Sequence, residues 1–487
     1  MRGSVVKKAK FVVLLCLLVG MVAALVACGS DKSDSDNDDK PSETQSGNVT
    51  NEPTPSNSGV TSTPTVTPTE GPSFSFKTAT EETEAMIKEA VAQFNANDYT
   101  PLDEPVKYYV LWLGFTHVTF EDLDFRMTDF DREYLEAVAL NYEKSVESIS
   151  GHNVDIIVDL HFVDDVMPLT QYPGEDWLYL AQETVMPIIS QYTAKQEVDT
   201  VLTTVQTSGD ENDLRNEDKD GFGVHDVILG LELAGITSDL GYSTFNLTKP
   251  KEGTYPLADP EIPSLYATAV AVHEWMHQLE ALKDLLGVEY PNTHAYMGPA
   301  SFPGYQQYIS DANDYDFFEF YKLVLQGKLP YTGNGDVKLV GMYPKMWPLI
   351  KRSRLFLGTF TVEAADGSGY LTGQSAEPTL TLADEPCIWN IRYIGNGHYV
   401  LCPKELPTLL IDLGNAWDME GNTISIWPYT GYVDAQSWYL TENEDGSYSV
   451  KTPYQSGRVL TAKKGAQALL CSFGADGVQK WYFKKAK

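Results

Sequence analysis

Basic residues are scarce in this chain: 35 Lys and Arg stand against 68 Asp and Glu in 487 residues, a formal charge of −33. Such a polyanion repels nucleic acid unless a local basic patch intervenes, and none occurs beyond the extreme N-terminus, which excludes nucleic acid as a partner. Cysteine is scarcer still. The five fall at Cys16, Cys28, Cys387, Cys402 and Cys471, so a cysteine-ligated metal in the middle of the chain is excluded. The last three allow at most one disulfide among themselves, and spacing does not say which. Apolar residues almost vanish from 29 to about 75, where Ser, Asp, Asn, Thr, Pro and Gly dominate. A stretch of that kind buries too little surface to offset its ordering entropy.

What is present begins with Arg2, Lys7, Lys8 and Lys10 ahead of an apolar run from Phe11 to Val26. That pattern is a signal sequence and is short for a membrane span. The run ends in Leu25-Val26-Ala27-Cys28 followed by Gly29, which resembles the lipobox of bacterial lipoprotein signal peptides. The resemblance implies lipidation at Cys28 and a location on the extracellular face of a bacterial membrane, with membrane contact through the anchor only. Four segments follow: signal peptide 1–27, disordered tether 28–76, an α+β domain 77–352 and an all-β domain 353–487.

In the α+β domain, order is expected from about Thr80. A strand is predicted over Val106 to Leu113, a helix over Glu133 to Ile149 and a strand over Val154 to Val163. A helix over Trp177 to Tyr192 and a strand over Val198 to Val205 complete the layer. A further helix is predicted from Ser264 to Leu286, where Gly287 stops it. Its stripe of Ala269, Val272, Met276, Leu279, Leu282 and Leu286 is apolar, and His273, His277, Glu280 and Asp284 lie beside it.

That helix carries His273-Glu274-Trp275-Met276-His277. Residues four apart share a helix face, so both imidazoles can reach one metal ion, while Glu274, one step around, can act on a water. The pattern resembles the zincin metallopeptidases. The resemblance implies a mixed sheet plus active-site helix, Zn²⁺ on His273 and His277, and Glu274 as general base in peptide-bond hydrolysis. The metzincin branch is excluded, because Glu280 and Lys283 occupy its glycine and third-histidine positions. The third ligand therefore comes from downstream: His294 is first in line, with Glu289, Asp311 and Glu319 as alternatives. Glu280 is a candidate to orient a ligand, or else an exposed helix residue; Tyr296 and Tyr305 are candidates to stabilise an oxyanion, though packing alone also accounts for both. Asn216, Asp218, Asp220 and Gly221, with Asp226 nearby, have the alternation of a Ca²⁺ loop, although Val227 replaces the usual closing glutamate. His117, His152, His161 and His225 have no partner spacing and read as structural.

Beyond Arg354 helical periodicity gives way to short Tyr-, Leu-, Thr- and Trp-rich runs between turns. Trp389, Trp438 and Trp481 recur 49 and 43 positions apart, the latter two in Gln-x-Trp with Gln436 and Gln479. This resembles the ricin-type β-trefoil lectins, which implies three repeats and a sugar site in the middle one. There Asp412 would accept sugar hydroxyls and Trp427 would stack on the ring. Ala435 removes one polar partner of that site, and Thr461 at the aspartate position leaves the last repeat without one. The combined expectation is a zinc endopeptidase acting on protein or glycoprotein and held to carbohydrate by the trefoil. The alternatives are a carbohydrate-binding adhesin with an inactive zincin-like domain, and a hydrolase of cell-wall peptides.

Overall fold

The computed structural model describes residues 74–171, 178–207, 231–233, 241–247, 266–308, 318–333, 335–374, 379–406, 409–428 and 433–486. The signal peptide, Cys28, nearly all of the tether, the candidate calcium loop, His225 and Asp311 lie outside the described residues.

Helix α1 (Phe76–Asn95) leads into strand β1 (Val106–Phe115). Helix α2 (Asp129–Ile149) and β2 (Val154–Val163) follow, then α3 (Gln182–Thr193) and β3 (Thr200–Val205). With β4 (Leu231–Leu233) and β5 (Gly241–Asn246) they form a five-stranded sheet of order β2-β1-β3-β5-β4. The first four strands of that order are parallel and β4 runs antiparallel at the edge. Parallel strands require crossovers, and the crossing helices bury both faces. Strand β1 shows this directly. Tyr108, Val110 and Trp112 enter one core with Leu135, Val138 and Trp275, while Leu111, Leu113 and Phe115 enter another with Val185 and Ile189.

Helix α2 starts with a capping box in which Thr128 and Asp131 satisfy each other's backbone amides,. Helix α4 (Tyr266–Leu279) packs on α2 and β5. The predicted single helix to Leu286 is two. The chain breaks at Glu280 and resumes as α5 (Leu282–Leu286), ending at Gly287 in the left-handed conformation, φ 62°. At the break the Glu280 amide donates to the His277 carbonyl at 3.1 Å, a three-residue turn bond in place of the four-residue helical one.

A second correction concerns the tether. Order begins before residue 77, because Phe76 and its neighbour Phe74 are anchored in the C-terminal domain. Phe76 is fully buried, with the rings of Phe74, Phe360, Tyr399, Tyr448 and Phe483 at 5.0–5.5 Å. The rest of α1 returns along the linker, where Thr83 Oγ1 donates to the Arg354 carbonyl at 3.0 Å and Glu82 pairs with Arg354 at 2.6 Å.

Twelve strands make the C-terminal domain. Repeat one holds β6 (Phe356–Ala364), β7 (Tyr370–Gln374), β8 (Thr379–Ala383) and β9 (Ile388–Tyr393). Repeat two holds β10 (His398–Pro403), β11 (Leu409–Leu413), β12 (Asn422–Pro428) and β13 (Trp438–Glu442). Repeat three holds β14 (Tyr448–Lys451), β15 (Val459–Thr461), β16 (Leu469–Cys471) and β17 (Trp481–Lys485). The outer strands of each repeat close a six-strand ring, β6-β9-β10-β13-β14-β17 and back to β6. The inner pairs form three hairpins joined to one another. A closed ring with a hairpin triplet is a β-trefoil, and closure leaves the ring without an edge. Trp389, Trp438 and Trp481 open or nearly open the last strand of each repeat and are fully buried. Phe360, Tyr399 and Tyr448, one from the first strand of each repeat, surround Phe76. All three cysteines of the domain are free thiols.

Candidate metal centre

Helix α4 is held from behind by a buried hydrogen-bond chain. Thr200 Oγ1 donates to Gln278 Oε1 (2.5 Å), Gln278 Nε2 to Ser243 Oγ (2.8 Å), and Ser243 Oγ to the Glu274 carbonyl (3.0 Å). A Cβ at Gly241 would stand 2.0 Å from Gln278 Oε1 and 2.9 Å from Thr200 Oγ1, so a side chain there would displace this hydrogen-bond chain. The apolar face of the helix, including Val272, Trp275, Met276 and Leu279, is buried, which turns His273 and His277 toward the opposite side.

His294 arrives on a single 3-10 turn, Thr293–Met297, set by Asn292, whose side chain accepts the His294 amide at 2.9 Å. The three imidazoles meet. His277 Nε2 lies 3.1 Å from His273 Nε2, and His273 Nε2 lies 3.2 Å from His294 Nε2. Among the described residues this is the one group of three His, Cys, Asp or Glu with ligand atoms close enough to share a metal ion. Glu289 instead accepts the Tyr305 hydroxyl at 3.4 Å, and neither it nor Glu319 joins the group.

Hydrogen bonding alone explains this triangle poorly. His277 Nδ1 faces a Glu280 carboxylate oxygen at 2.9 Å and must carry its proton there, so in the neutral ring Nε2 is a lone pair. His273 would then have to divide one proton between two neighbouring rings. Three lone pairs converging on a cation satisfy all three at once. Ligands about 2.05 Å from a tetrahedral zinc stand about 3.3 Å apart, close to the spacings seen. Burial, then the charges of His277 and His294, holds the His273 pKa well below its usual value. Burial, then the charge of His277, brings His294 to about 3, against the opposing pull of Glu280. Neutral imidazole is the ligand form.

Two supporting contacts orient the rings. Glu280 is pushed up by burial, but its hydrogen bond to His277 and the Thr293 amide outweigh this and leave its pKa low. It accepts from the Thr293 amide at 2.8 Å and from Asn292 Nδ2 at 3.0 Å, so one carboxylate joins His277 to the loop that delivers His294. Tyr321, on α6 (Phe318–Leu325), meets His273 Nδ1 with its hydroxyl at 2.5 Å. Nothing in the linear sequence signals Tyr321, which is 48 residues away; the three-residue step from His277 to Glu280 was a visible signal.

Glu274 is 2 % exposed and His277 5 %. Burial, and next the charge of Glu274, raises the Tyr296 pKa, and the Tyr296 ring centre lies 6.2 Å from those of His273 and His294. Tyr296 therefore borders the centre, whereas Tyr305 packs on Tyr331 with ring centres 4.8 Å apart and planes tilted by 38°, its hydroxyl turned to Glu289. His117 and His161 pair with Asp124 and Asp159 at 3.0 and 2.8 Å.

In the trefoil, register relates the three repeats. Trp389 Nε1 donates to the Leu371 carbonyl as Trp438 Nε1 does to Ile411, both at 3.0 Å. Gln436 and Gln479 donate equivalently to the Pro428 and Ser472 carbonyls, both at 2.9 Å. Strand pairing then places Thr372 and Thr461 where Asp412 stands, and Ala383 and Cys471 where Trp427 stands. A carboxylate and an aromatic ring come together in repeat two alone. Trp427 is 47 % exposed, and burial raises the Asp412 pKa to about 6, a shift that its hydrogen bond with Gln436 opposes.

No protein-family profile matches the chain, and no curated protein sequence does. Solved structures overlap it over about a quarter of its length. The designed 3-fold symmetric protein ThreeFoil is 21 % identical over 26 % of this chain and 99 % of its own, with a TM-score of 0.24. SeviL bound to asialo-GM1 saccharide is 15 % identical over 27 % and 98 %, with a TM-score of 0.21. An exo-beta-1,3-galactanase from Clostridium thermocellum is 13 % identical over 27 % and 30 %, with a TM-score of 0.24. Overlaps of this extent carry no weight for function, and the trefoil stands on its own strand pairing.

Proposed function

We propose that the chain is a zinc-dependent endopeptidase, lipid-anchored at Cys28 outside a bacterial cell and brought to glycoconjugates by its trefoil. The observation that carries the reading is the convergence of three imidazole Nε2 atoms, two of them from the helix that also carries the buried Glu274. His273, His277 and His294 would hold the ion. Bound there, zinc supplies Lewis acidity toward water and toward a peptide carbonyl. Glu274 takes the proton of the attacking water and returns it to the departing amine, as a positioned general base does. Tyr296, beside Glu274, donates from its hydroxyl to the developing oxyanion, and its raised pKa keeps that proton in place,. Glu280 and Tyr321 fix the orientation of the rings. Asp412 and Trp427 supply the hydrogen-bond acceptor and the stacking face for a sugar.

The test is casein cleavage by the full chain alongside elemental analysis. One zinc per chain, with cleavage lost in Glu274→Gln and zinc retained, supports the reading. Cleavage unchanged in Glu274→Gln refutes the mechanism. Zinc without cleavage of any protein or cell-wall peptide favours an adhesin.

A further inference from the structure

Among the eight tryptophans described, six are fully buried; the exceptions are Trp427 and Trp417, 47 % and 59 % exposed. Both belong to one hairpin, β11–β12. Its register pairs Leu410 with Trp427, Ile411 with Ile426, Asp412 with Ser425 and Leu413 with Ile424. Side chains alternate in a strand. Ile411, Leu413, Ile424 and Ile426 are buried in the trefoil, which leaves Thr423, Ser425 and Trp427 on the other face, with Asp412 (8 % exposed) and the buried Leu410 at its root. Trp417 sits at the tip, tied back by Asn422, whose Nδ2 donates to the Trp417 and Gly414 carbonyls at 2.7 and 2.8 Å. Five residues separate Asn422 from Trp427, a rise of about 17 Å, much longer than one sugar ring.

The tip is built with unusual care. Asn415 and Ala416, immediately before Trp417, both take the left-handed conformation, φ 53° and 54°, which an alanine rarely adopts. The residues on either side of Met419 are clamped. Arg458 Nη1 donates to the Asp418 carboxylate and carbonyl, each at 2.9 Å. Ser472 donates to Glu420 through its amide (2.9 Å) and hydroxyl (2.7 Å). A strained and pinned turn that presents a large apolar ring to water is the pattern of a ligand-binding tip.

Two rings separated by hydroxyls and a carboxylate suit a chain that is itself apolar on its ring faces and polar at their rims. An apolar surface would meet Trp417 and the neighbouring Met419, both 59 % exposed, but would also press on the hydroxyls of Thr423 and Ser425. Asp412 and the overall charge of −33 disfavour sialylated or sulfated glycans. Resting on the lectin reading of Asp412 and Trp427, we propose that Trp417 is a second sugar-stacking subsite. The hairpin then binds a neutral oligosaccharide lengthwise, one unit on Trp427 and Asp412 and a later unit on Trp417.

The test prints neutral glucose, galactose and N-acetylglucosamine ladders of one to six units on an array, probes them with the full chain, and titrates the best ladder by calorimetry. Affinity should rise with length. Trp417→Ala should lower it about tenfold or more for the longer members, about 1.4 kcal/mol, and leave one- and two-unit members at the wild-type value. Trp417→Phe should retain part of the gain, and Trp427→Ala should abolish binding at every length. Wild-type-like binding of all lengths by Trp417→Ala, or no gain with length, overturns this inference and leaves the lectin reading intact. No binding by the unmutated chain to any ladder overturns the lectin reading and this inference with it. Binding confined to anionic glycans, or Trp417-dependent capture on phosphatidylcholine vesicles, assigns the tip to another ligand and also overturns it.

Discussion

Replacing Phe76 by alanine tests whether the trefoil stands alone. The side chain is fully buried and ringed by five aromatic groups at 5.0–5.5 Å, four of them from the trefoil strands β6, β10, β14 and β17. Phe→Ala in a core costs about 3–5 kcal/mol, the larger values arising where the walls cannot close on the void. Here the walls are hydrogen-bonded strands of a closed ring, so the upper half of that range, about 4–5 kcal/mol, is expected. Losing the edge-on ring contacts is part of that figure, not an addition to it. Urea unfolding of the full chain, followed by tryptophan fluorescence, should show the midpoint falling by that free energy divided by the urea slope. Phe76→Leu should fall in between. A shift worth less than about 1 kcal/mol would mean that the ring has its core without α1, and the reasoning would fail.

The remaining predictions concern the two sites. His294→Ala should weaken zinc binding at least as strongly as Glu280→Gln, for which a loss of about 10–100-fold is expected; competition against a chelator measures both, and wild-type affinity in His294→Ala would remove it from the ligand set. Asp412 should make the trefoil pH-sensitive. Its native pKa, near 6, is above the unfolded value, so the native state holds the proton more tightly and stability falls as pH rises from about 4 to 6. Two pKa units correspond to about 3 kcal/mol as an upper figure, so Asp412→Asn should stabilise the chain at pH 7 while abolishing sugar binding. Sugar affinity itself should drop as pH falls through 6, because a protonated Asp412 is a weaker acceptor. A flat binding profile from pH 5 to 7.5 would rule out the carboxylate as the acceptor.

Much of the layer order was legible because it rests on local pattern. Val154–Val163 is a strand over the residues its alternation and β-branched content indicate, and Gly287 ends its helix in the left-handed turn that glycine permits. The His-Glu-x-x-His step and the tryptophan spacing were equally visible, since each is a repeat of fixed period. What stayed hidden depends on distant partners. Phe76 reads as the end of a polar tether until the trefoil ring is seen around it. Helical periodicity registers neither the split after Leu279, where the Glu280 amide turns to the His277 carbonyl, nor the reach of the Glu280 carboxylate to His277 and the Thr293 amide. Tyr321 reaches His273 only through the packing of α6. Gly241 gives no hint on its own that Gln278 will approach where a Cβ would be.

The inequality of the three repeats has a consequence for residence. Repeats one and three carry Thr372 with Ala383 and Thr461 with Cys471 at the positions of Asp412 and Trp427, so under the proposed lectin reading each chain would grip through a single hairpin. A protein with three equivalent grips gains avidity from its own architecture, whereas this one obtains it only from neighbouring copies. Retention on a carbohydrate surface would then depend on how densely chains are displayed. A single chain releases at the rate of its one contact, and a crowded patch of them holds on.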